Sequence, residues 1–314
     1  MKLLTITNMW PTLDQPYYGI FVKEQLENIE NKLNVKSDLY FIDGKNKGKL
    51  AYLKSIFALY NIIKKGKYDI IHIHYGLSGL FLLFYKPKSK IFMTLHGGDI
   101  QKEQGKKIQI FLAKKILKKV NKVFVLNDNM VKVVSSIGIN YEILPCGVNQ
   151  TFFNSSGKIE ILSNSKLILF PGDSERKVKN YPLFEETLNL LNERAFYTYK
   201  YECIHNLSRK EVRDLMLRAD CLLMTSISEG SPQVVKEALS CGLRVISVPV
   251  GDVNQIIDNI KACYISKNHD AKELALLVEA SLKEDSSKIR EQFLVKGTYD
   301  NESICNRIIK NYMQ

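Results

Sequence analysis

Short apolar runs alternate with longer stretches of helical periodicity along most of the chain. The runs are rich in Ile, Leu and Val, and a strand that is buried on both faces shows such a run instead of polar alternation. The first predicted strands are Leu3–Thr7, Val35–Phe41, Asp69–His74, Lys90–Thr94, Lys122–Leu126 and Tyr141–Leu144. Helices are predicted between them at Phe21–Lys32, Leu50–Lys64, Leu77–Tyr85, Lys106–Lys119 and Asn127–Ile137. This alternation predicts one parallel α/β sheet.

The alternation restarts after a polar, irregular stretch, residues 148–165, which we predict to be a linker. Further strands are predicted at Leu167–Phe170, Tyr199–Ile204, Asp220–Thr225, Leu243–Val248 and Ala262–Ile265. Helices are predicted at Pro182–Arg194, Arg209–Arg218, Pro232–Cys241, Val253–Asn259 and Ala271–Lys283, with capping boxes at Ser208/Glu211 and Asp270/Glu273. The tail, Ser286–Met313, is helical by pattern with a break near Gly297. The sequence therefore predicts two α/β domains, 1–150 and 151–295, followed by a helix over 296–314.

The composition indicates the cellular compartment of the protein and shows that its charge is unevenly distributed along the chain. The six cysteines are scattered without a C-x-x-C pair, which indicates buried free thiols in a reducing compartment. We expect no signal sequence or spanning helix, because the longest apolar run, Leu77–Tyr85, falls far short of ~20 residues. All of the net charge of +12 lies in residues 1–150, which hold 23 lysines and 11 acidic residues.

A basic first half predicts an anionic partner: a membrane surface, a polyanionic glycan or nucleic acid. The alternative is a solvated, lysine-rich surface without a partner. The predicted helix Lys106–Lys119 is basic and amphipathic, as a helix lying on an anionic bilayer would be. An ordinary helix that faces the core and exposes its lysines would show the same pattern.

The stretch from Ser226 to Val250 carries the strongest candidate chemistry. A polar turn, 226–231, joins a strand to a helix that Ser231 is predicted to cap and that begins with Pro232. Glu229 and Glu237 flank the start of this helix at the carboxyl end of a strand, where open α/β sheets bind ligands. Helix N–H groups suit a phosphate and carboxylates suit hydroxyls, so the pattern fits a nucleotide sugar. An ordinary β-α-β unit with surface acids remains the alternative.

Other candidate residues also follow predicted strands. Gly19 precedes a helix, where a glycine lets backbone N–H groups approach a phosphate. Arg176 and Lys179 follow the strand at Leu167, and two such cations can hold a diphosphate, with Lys177 as a rival. His72 and His74 alternate along one strand, but no third ligand is spaced to join them, so we predict no metal site. His74 lies at the end of that strand.

Several of these motifs resemble one known family. The segment E-G-S-P followed by K-E-A-L-S-C-G-L-R-V-I resembles the E-G-x-P-x-x-x-x-E-A-x-A-x-G-x-P-V signature of the retaining family 4 glycosyltransferases. Arg244 stands where that family usually has proline. The segments T-L-H-G-G-D, with His96 and Asp99, and P-x-x-G-I-F-V-x-x-Q, with Gly19, are similar to further motifs of the family. Departures are the missing double glycine beside Gly19 and Asp173 in place of an arginine.

The resemblance implies the GT-B fold: two Rossmann-like parallel-sheet domains facing a cleft, with a C-terminal helix crossing back onto the first. It implies a retaining glycosyltransferase that moves a hexose-type sugar from a UDP or GDP sugar to a glycan or lipid-linked acceptor. Bacterial surface polysaccharide synthesis is the process that it implies. The protein would then be cytoplasmic, with a possible peripheral place on the inner face of the membrane.

The resemblance also implies roles for the candidate residues. The catalytic pair would be His96 and Glu229, both holding the sugar, with Asp99 ordering the site and Glu237 binding the ribose. The diphosphate would be neutralised as it leaves by Arg176, Lys179 and the backbone N–H groups of the turn from Gly230 through Ser231 to Pro232, the last of which has no N–H of its own. We expect no cofactor and no metal, because two cations can replace a divalent ion and no D-x-D motif precedes a strand end.

Two other functions stay open at this stage. A nucleotide-sugar epimerase would share the fold and lack an acceptor. A non-catalytic glycan- or nucleic-acid-binding protein would use the lysine excess, but the patch of interleaved arginine and aromatic residues that is typical of nucleic-acid binders is not visible.

Overall fold

The computed structural model describes residues 1–100, 107–158, 164–194 and 196–314. The chain divides into two compact units, one made of Met1–Gly147 with Asn301–Gln314 and the other of Val148–Asp300. The second boundary therefore falls at residue 300, later than the predicted position of 295. The reason is that the segment around the predicted break belongs to the second unit: Phe293 and Tyr299 are buried in its core.

The first unit contains a six-stranded sheet with the order β2-β1-β3-β4-β5-β6, and all its strands are parallel. The strands are β1 (Leu3–Thr7), β2 (Asp38–Phe41), β3 (Ile70–His74), β4 (Lys90–Thr94), β5 (Lys122–Val125) and β6 (Tyr141–Ile143). Alternate residues of β1 and β3 to β5 enter two separate buried clusters, one on each face of the sheet. Burial on both faces explains why these strands are apolar throughout.

Helices cover both faces of this sheet. They are α1 (Ile20–Leu33), α2 (Gly44–Lys47), α3 (Lys49–Gly66), a 3-10 helix (Gly76–Leu83), α4 (Lys107–Leu117) and α5 (Asp128–Ser135), joined by the final helix α12 (Asn301–Met313). Helices α1 and α12 bury Leu26, Ile29, Ile304 and Ile308 in one cluster. Helix α3, the 3-10 helix and α4 bury side chains in the other cluster.

The segment Gly76–Leu83 is a 3-10 helix, although its pattern predicted an α-helix over Leu77–Tyr85. Two glycines pack it tightly against α4. A Cβ atom on Gly76 would lie 2.9 Å from the Cβ of Ala113, and one on Gly79 would lie 2.8 Å from Ile116. Close packing and low helix propensity thus override the apolar pattern. Lys106, the first residue of the next predicted helix, lies outside the described residues.

The second unit contains a parallel five-stranded sheet with the order β11-β10-β9-β7-β8. Its strands are β7 (Ser165–Phe170), β8 (Thr198–Cys203), β9 (Cys221–Met224), β10 (Arg244–Ser247) and β11 (Tyr264–Ile265). Its helices are α6 (Tyr181–Glu193), α7 (Arg209–Arg218), α8 (Gln233–Ser240), α9 (Val253–Ile257), α10 (Ala271–Lys283) and α11 (Ile289–Val295), with a 3-10 turn at Lys177–Lys179. Among the helices of both units that the structure describes, none has the length and apolar character to cross a membrane.

Part of the predicted linker, residues 148–165, is core. Val148 and Phe153 are fully buried in the second unit, and Arg290 donates hydrogen bonds to the carbonyl oxygens of Gln150 and Phe153. The polar residues around Phe153 hid this anchor from sequence analysis. Residues 159–163 of the predicted linker lie outside the described residues.

Both predicted capping boxes lie in the second unit, and one of them forms completely. The capping box of Ser208 and Glu211 forms in full. Asp270 accepts the N–H of Glu273, but the Glu273 carboxylate accepts the N–H of Lys267 instead of completing the box. Gly242 ends α8 with φ 70°, the left-handed conformation expected for a glycine just past a helix.

Candidate functional site

Gly19 occupies a position in the first unit that only glycine can fill. It is the N-cap residue of α1 with φ 72°, and a Cβ atom would lie 2.3 Å from the carbonyl carbon of Met9. Both the left-handed backbone and this close approach exclude a side chain. The loop after β1 is therefore pressed against the start of α1, at the carboxyl edge of the sheet.

Asp99 fastens two neighbouring turns of the first unit. Its buried carboxylate accepts the N–H of His96 at 3.2 Å and the N–H of Gly76 at 3.0 Å. Burial raises the pKa of Asp99 to about 6, although the backbone N–H groups lower it. The residue links the turn after β4 to the start of the 3-10 helix after β3, and this geometry fits a residue that orders a site.

Three histidines form a ladder from the interior to the carboxyl edge of this sheet. The hydroxyl groups of Tyr312 and Thr94 lie 2.5 Å and 2.8 Å from the two ring nitrogens of His72. His74 stacks on His72 with ring centroids 4.5 Å apart, and its Nδ1 lies 3.3 Å from His96 Nε2. Both ring nitrogens of His72 are engaged with hydroxyls, so they are not available to a metal.

All three imidazoles are neutral near pH 7. Burial lowers the pKa of His72 to about 3, and burial with its two histidine neighbours holds the pKa of His74 well below its usual value. Desolvation also lowers the pKa of His96 to about 3. His96 can therefore offer a neutral imidazole to a ligand, with Nε2 held by His74 and the ring beside Phe21.

In the second unit, Glu229 and Lys179 form an ion pair. Lys179 Nζ lies 2.7 Å from Glu229 Oε1, and both side chains are mostly buried. Their turns follow β9 and β7 and are joined by a hydrogen bond from Thr225 Oγ1 to the carbonyl oxygen of Lys179, at 3.1 Å. The N–H of Ile227 donates to the carbonyl oxygen of Val178 beside it. The structure thus brings Glu229 and Lys179 together at the carboxyl edge of the sheet.

Arg176 is not part of this pair. It precedes the 3-10 turn, its side chain is exposed, and it makes no ion pair with any residue that the structure describes. Lys177 is exposed as well. Of the three cations that the sequence offered for a diphosphate, only Lys179 is held in a defined position.

Glu237 has a partner that sequence analysis missed. It lies in α8 with a buried side chain, and its Oε1 lies 2.5 Å from Nη1 of Arg209. Arg209 is the first residue of α7, and its guanidinium covers the ring of Phe153 at 4.4 Å. The signal available in the sequence was the capping box, which places Arg209 at a helix start after β8.

Ser231 does not cap α8, contrary to the prediction. The N-cap residue is Pro232, and Ser231 Oγ donates to Asp252 Oδ2 at 2.7 Å. The pKa of Asp252 is raised above its usual value because the carboxylate is buried. The nearby ammonium of Lys236 makes this rise smaller. The side chain of Lys236 is fully buried, and its Nζ donates to Gln233 Oε1 at 3.0 Å. Neither Asp252 nor Lys236 was predicted.

The backbone around Gly230 is held closely from one side. A Cβ atom on Gly251 would lie 2.7 Å from the carbonyl oxygen of Gly230, and Gly251 has φ 58°. The turn that carries Glu229 therefore rests directly on the loop after β10. Together with the Ser231–Asp252 bond, this contact fixes the approach to the first turn of α8.

Two family models match the chain. The model described as Glycosyltransferase Family 4 matches residues 22–152, which include His96 and Asp99. The model described as Glycosyl transferases group 1 matches residues 184–297, which include Arg209, Glu229 and Glu237. Gly19, Arg176 and Lys179 lie outside both matched ranges.

The chain is 26% identical over 213 residues to the putative teichuronic acid biosynthesis glycosyltransferase TuaC of Bacillus subtilis (strain 168). The match covers 60% of this chain and 55% of the Bacillus protein, so the chain spans about half of that relative. Among solved structures, sucrose-phosphate synthase from Thermosynechococcus elongatus aligns with a TM-score of 0.80 at 15% identity over 100% of this chain and 99% of that one. Anabaena Alr3699/HepE in complex with UDP aligns with a TM-score of 0.72 at 13% identity over 99% of both chains.

Proposed function

Since the chain belongs to the glycosyl transferases group 1 and has the GT-B fold, we propose that it transfers a hexose-type sugar, with retention of configuration, from a nucleotide-diphosphate sugar to a glycan or lipid-linked glycan. The main support for a donor site is a pair of carboxylates in the second unit, each of which is held in place by a cation. Glu229 is held by Lys179, and Glu237 is held by Arg209, on either side of the start of α8. A helix start suits a phosphate, and carboxylates on either side of it suit sugar hydroxyls.

The second unit would bind the base and the ribose of the nucleotide. A carboxylate has about four acceptor sites, so Glu237 can accept ribose hydroxyls while one oxygen keeps its bond to Arg209. The arginine then fixes the orientation of the carboxylate before the donor binds. We propose UDP or GDP as the nucleotide, and the UDP complex of the Anabaena neighbour supports UDP.

The diphosphate would bind to Lys179, to backbone N–H groups of the turn that ends at Pro232, which are those of Gly230 and Ser231, and to Arg176. An ammonium group has three donors, so Lys179 can bond a phosphate oxygen while one donor stays with Glu229. The exposed Arg176 side chain would join it when the donor is present. These cations would stabilise the charge that develops on the leaving diphosphate, and we propose that transfer requires no metal ion and no cofactor.

In the second unit, Glu229 is the proposed contact of the sugar. In the first unit, His96 is the candidate for a sugar contact. The pKa of His96 is lowered to about 3, so the residue would present a neutral imidazole that can hydrogen-bond to a hydroxyl. His74 would set which ring nitrogen faces the sugar, and Asp99 would keep the turn in place. Gly19 would let the backbone of the loop after β1 approach the donor.

The acceptor and location are further parts of the proposal. The name of the Bacillus relative, which refers to teichuronic acid biosynthesis, supports a role in bacterial surface polysaccharide synthesis. The free cysteines support a reducing, cytoplasmic location. The lysine-rich first unit supports contact with an anionic membrane surface, whereas a nucleic-acid partner is disfavoured because residues 1–150 contain no arginine.

A thermal-shift and calorimetric screen with UDP, GDP and their sugars tests the donor. We expect saturable binding of one nucleotide, weakened by Glu237→Gln, and transfer of the sugar to acceptor with unchanged anomeric configuration, followed by NMR. Absence of binding by every nucleotide would refute the donor site. Conversion of the donor sugar in the absence of acceptor would instead indicate the nucleotide-sugar epimerase.

A further inference from the structure

The charge of the chain is concentrated in residues 44–127. This stretch contains eighteen lysines and three acidic residues, a net charge of +15, which exceeds the +12 of the whole chain. Of the acidic residues, Asp99 is buried and Asp69 accepts the backbone N–H of Lys2; the third, Glu103, lies outside the described residues. The stretch runs from α2 to β5 and includes α3, the 3-10 helix and α4, which form one layer over the sheet.

Helix α3 is apolar on two opposite sides. Its inner side buries Leu59 and Ile63 in the core of the first unit. On its outer side Leu50, Leu53 and Phe57 are each more than half exposed, and Tyr60 is 41% exposed. At about 100° per residue these four side chains form one continuous stripe along the helix. A helix of this kind is normally covered on both sides, but the outer stripe stays exposed among the residues that the structure describes.

The same layer exposes further large apolar side chains. Phe84, at the end of the 3-10 helix, is 73% exposed, and Ile108 of α4 is 75% exposed. Phe111 lies one turn further along α4, with Lys115 Nζ 4.6 Å above its ring. The 3-10 helix packs against both α3 and α4, so these residues belong to one side of the unit. We call it the α3–α4 face, which consists of Leu50, Leu53, Phe57, Tyr60, Phe84, Ile108 and Phe111.

Lysines surround the α3–α4 face. The exposed lysines of α3 and α4 form no ion pair with any described residue; they are Lys49, Lys54, Lys64, Lys65, Lys107 and Lys115. The end of α3 also borders a groove of about 640 Å³ at the amino edge of the sheet. Four lysines, Lys64, Lys67, Lys88 and Lys90, and one acidic residue, Asp69, are among its lining residues. Tyr85 lines the groove and meets Tyr60 of the face, with ring centroids 5.1 Å apart.

We propose that the α3–α4 face docks the first unit onto an anionic membrane, with its aromatic and aliphatic side chains at the boundary between headgroups and acyl chains. The surrounding lysines would contact lipid phosphates, and the groove would accept one headgroup. This combination of apolar side chains and lysines is the one that interfacial proteins use. The inference deepens the membrane contact that is part of the proposed function, and it extends the site from α4, which sequence analysis singled out, to α3 and Phe84.

Charge decides between the membrane and other occupants. A second copy of the chain would bring lysines against lysines across a two-fold interface, which is repulsive. Nucleic acid would leave the apolar stripe in contact with phosphates, and residues 1–150 contain no arginine for bidentate contacts. An anionic bilayer satisfies both the apolar and the cationic parts of the face.

Sedimentation of the full chain with lipid vesicles tests the proposal. We expect binding to vesicles of mixed phosphatidylglycerol and phosphatidylcholine, little binding to pure phosphatidylcholine, and release at about 1 M salt, where the Debye length falls to about 3 Å. The double variant Phe57→Ser/Phe84→Ser should need at least about tenfold more lipid for half-binding, because two large apolar groups no longer leave water. The double variant Lys54→Glu/Lys65→Glu should lose preference for the anionic lipid.

A matched control lies in the second unit. Phe196 and Val295 are 63% and 82% exposed, and Lys283 Nζ lies over the Phe196 ring as Lys115 lies over Phe111. Phe196→Ser/Val295→Ser should bind vesicles as the unchanged protein does. Equal partition to neutral and anionic vesicles, or equal losses in the control and in Phe57→Ser/Phe84→Ser, would overturn the proposal.

Two more measurements separate this inference from the proposed function. Calorimetric titration with UDP should give the same affinity for all of these variants, since none lies in the donor site. Vesicle binding without any nucleotide binding would leave the docking face intact and refute the donor site. Sedimentation velocity that showed a dimer disrupted by Phe57→Ser/Phe84→Ser would make a second copy the occupant and refute the membrane.

Discussion

Replacing Glu237 with glutamine should reduce the stability of the second unit and its affinity for nucleotide together. The Glu237 side chain is only 6% exposed, and its Oε1 lies 2.5 Å from Arg209 Nη1. The substitution keeps the volume of the side chain and one carbonyl acceptor but removes the charge. It therefore removes the carboxylate charge that faces the Arg209 guanidinium, which is itself mostly buried.

The size of the effect follows from this burial. Removing one partner of a buried ion pair costs about 3–5 kcal/mol, because an uncompensated charge remains. Arg209 keeps its contact with the Phe153 ring and a weaker hydrogen bond to the amide oxygen, so we expect a loss of about 1–3 kcal/mol. An exposed glutamate, as the sequence suggested for a residue at an open site, would cost less than about 1 kcal/mol.

A single tryptophan makes it possible to tell which unit loses stability. Trp10 is the only tryptophan and belongs to the first unit, so its fluorescence follows that unit during urea denaturation. Circular dichroism follows the helices of both units. We expect Glu237→Gln to lower the urea midpoint seen by circular dichroism and to leave the Trp10 midpoint unchanged. In a double-mutant cycle with Arg209→Gln, the double variant should lose less stability than the two single losses added together.

Nucleotide binding separates Glu237 from Glu229. With Glu237→Gln, calorimetry should give about tenfold weaker UDP binding, since the ribose loses a charged acceptor. With Glu229→Gln, Lys179 keeps its charge and is released from its ion pair, so UDP binding should be equal or tighter. The rate of transfer should nevertheless fall by about 10²-fold, because in the proposed site Glu229 would act where positive charge develops.

Three results would refute this reasoning. If Glu229→Gln weakens UDP as much as Glu237→Gln does, the division of roles is wrong. If Glu237→Gln changes neither the urea midpoint nor UDP affinity, the Arg209 pair contributes nothing in solution. Normal turnover by both variants would remove both carboxylates from the site.

Further outcomes test other parts of the structure. Gly19→Ala places a Cβ atom 2.3 Å from backbone, so the Trp10 midpoint should fall and the donor KM should rise in steady-state assays. The free energy of unfolding should fall as the pH drops from 6.5 toward 3, by about 1.4 kcal/mol per pH unit for His72, because the unfolded state binds this proton more tightly. His74 and His96, whose pKa values burial also lowers, should add losses in the same direction. Asp99, with its pKa raised to about 6, binds a proton more tightly when folded and offsets one histidine between about pH 6 and 4, so urea titrations of Asp99→Asn should show a steeper acid loss. EDTA should change the transfer rate by less than about tenfold, and a larger loss would contradict metal-independent transfer.

The strands were predictable because burial on both faces leaves an unmistakable apolar run. β1 and β4 begin and end at the predicted residues, Leu3–Thr7 and Lys90–Thr94. The edge strand β2 begins at Asp38 instead of Val35, because the N–H of Val35 bonds back to the carbonyl oxygen of Glu30 and finishes α1. Such a local competition between a helix end and a strand start is not visible in hydrophobicity.

Candidate site residues that belong to a sequence motif could be predicted. Residues whose interaction partners come from distant parts of the chain could not. Glu229, Glu237 and Asp99 stand in motifs, and the structure places each at the carboxyl edge of its sheet. Lys236 looks like an ordinary surface lysine of a helix, yet it is fully buried beside the Tyr299 ring, which lies 63 residues further along the chain. Ser231 looks like a helix cap, but an aspartate from the next loop takes its hydroxyl.

The first unit is discontinuous in the chain, and this has a consequence for its biosynthesis. One face of its sheet is closed by Ile304, Ile308 and Tyr312 of α12, which are made only after the whole second unit. At about 5–20 residues per second, the 153 residues from Val148 to Asp300 delay the closure by roughly 8–30 s. During that interval Phe92 and Phe124 lack the part of their packing that Ile304, Ile308 and Tyr312 supply. The second unit can therefore reach its native packing before the first, and the histidine ladder gains its last hydroxyl, from Tyr312, only when translation of α12 is complete.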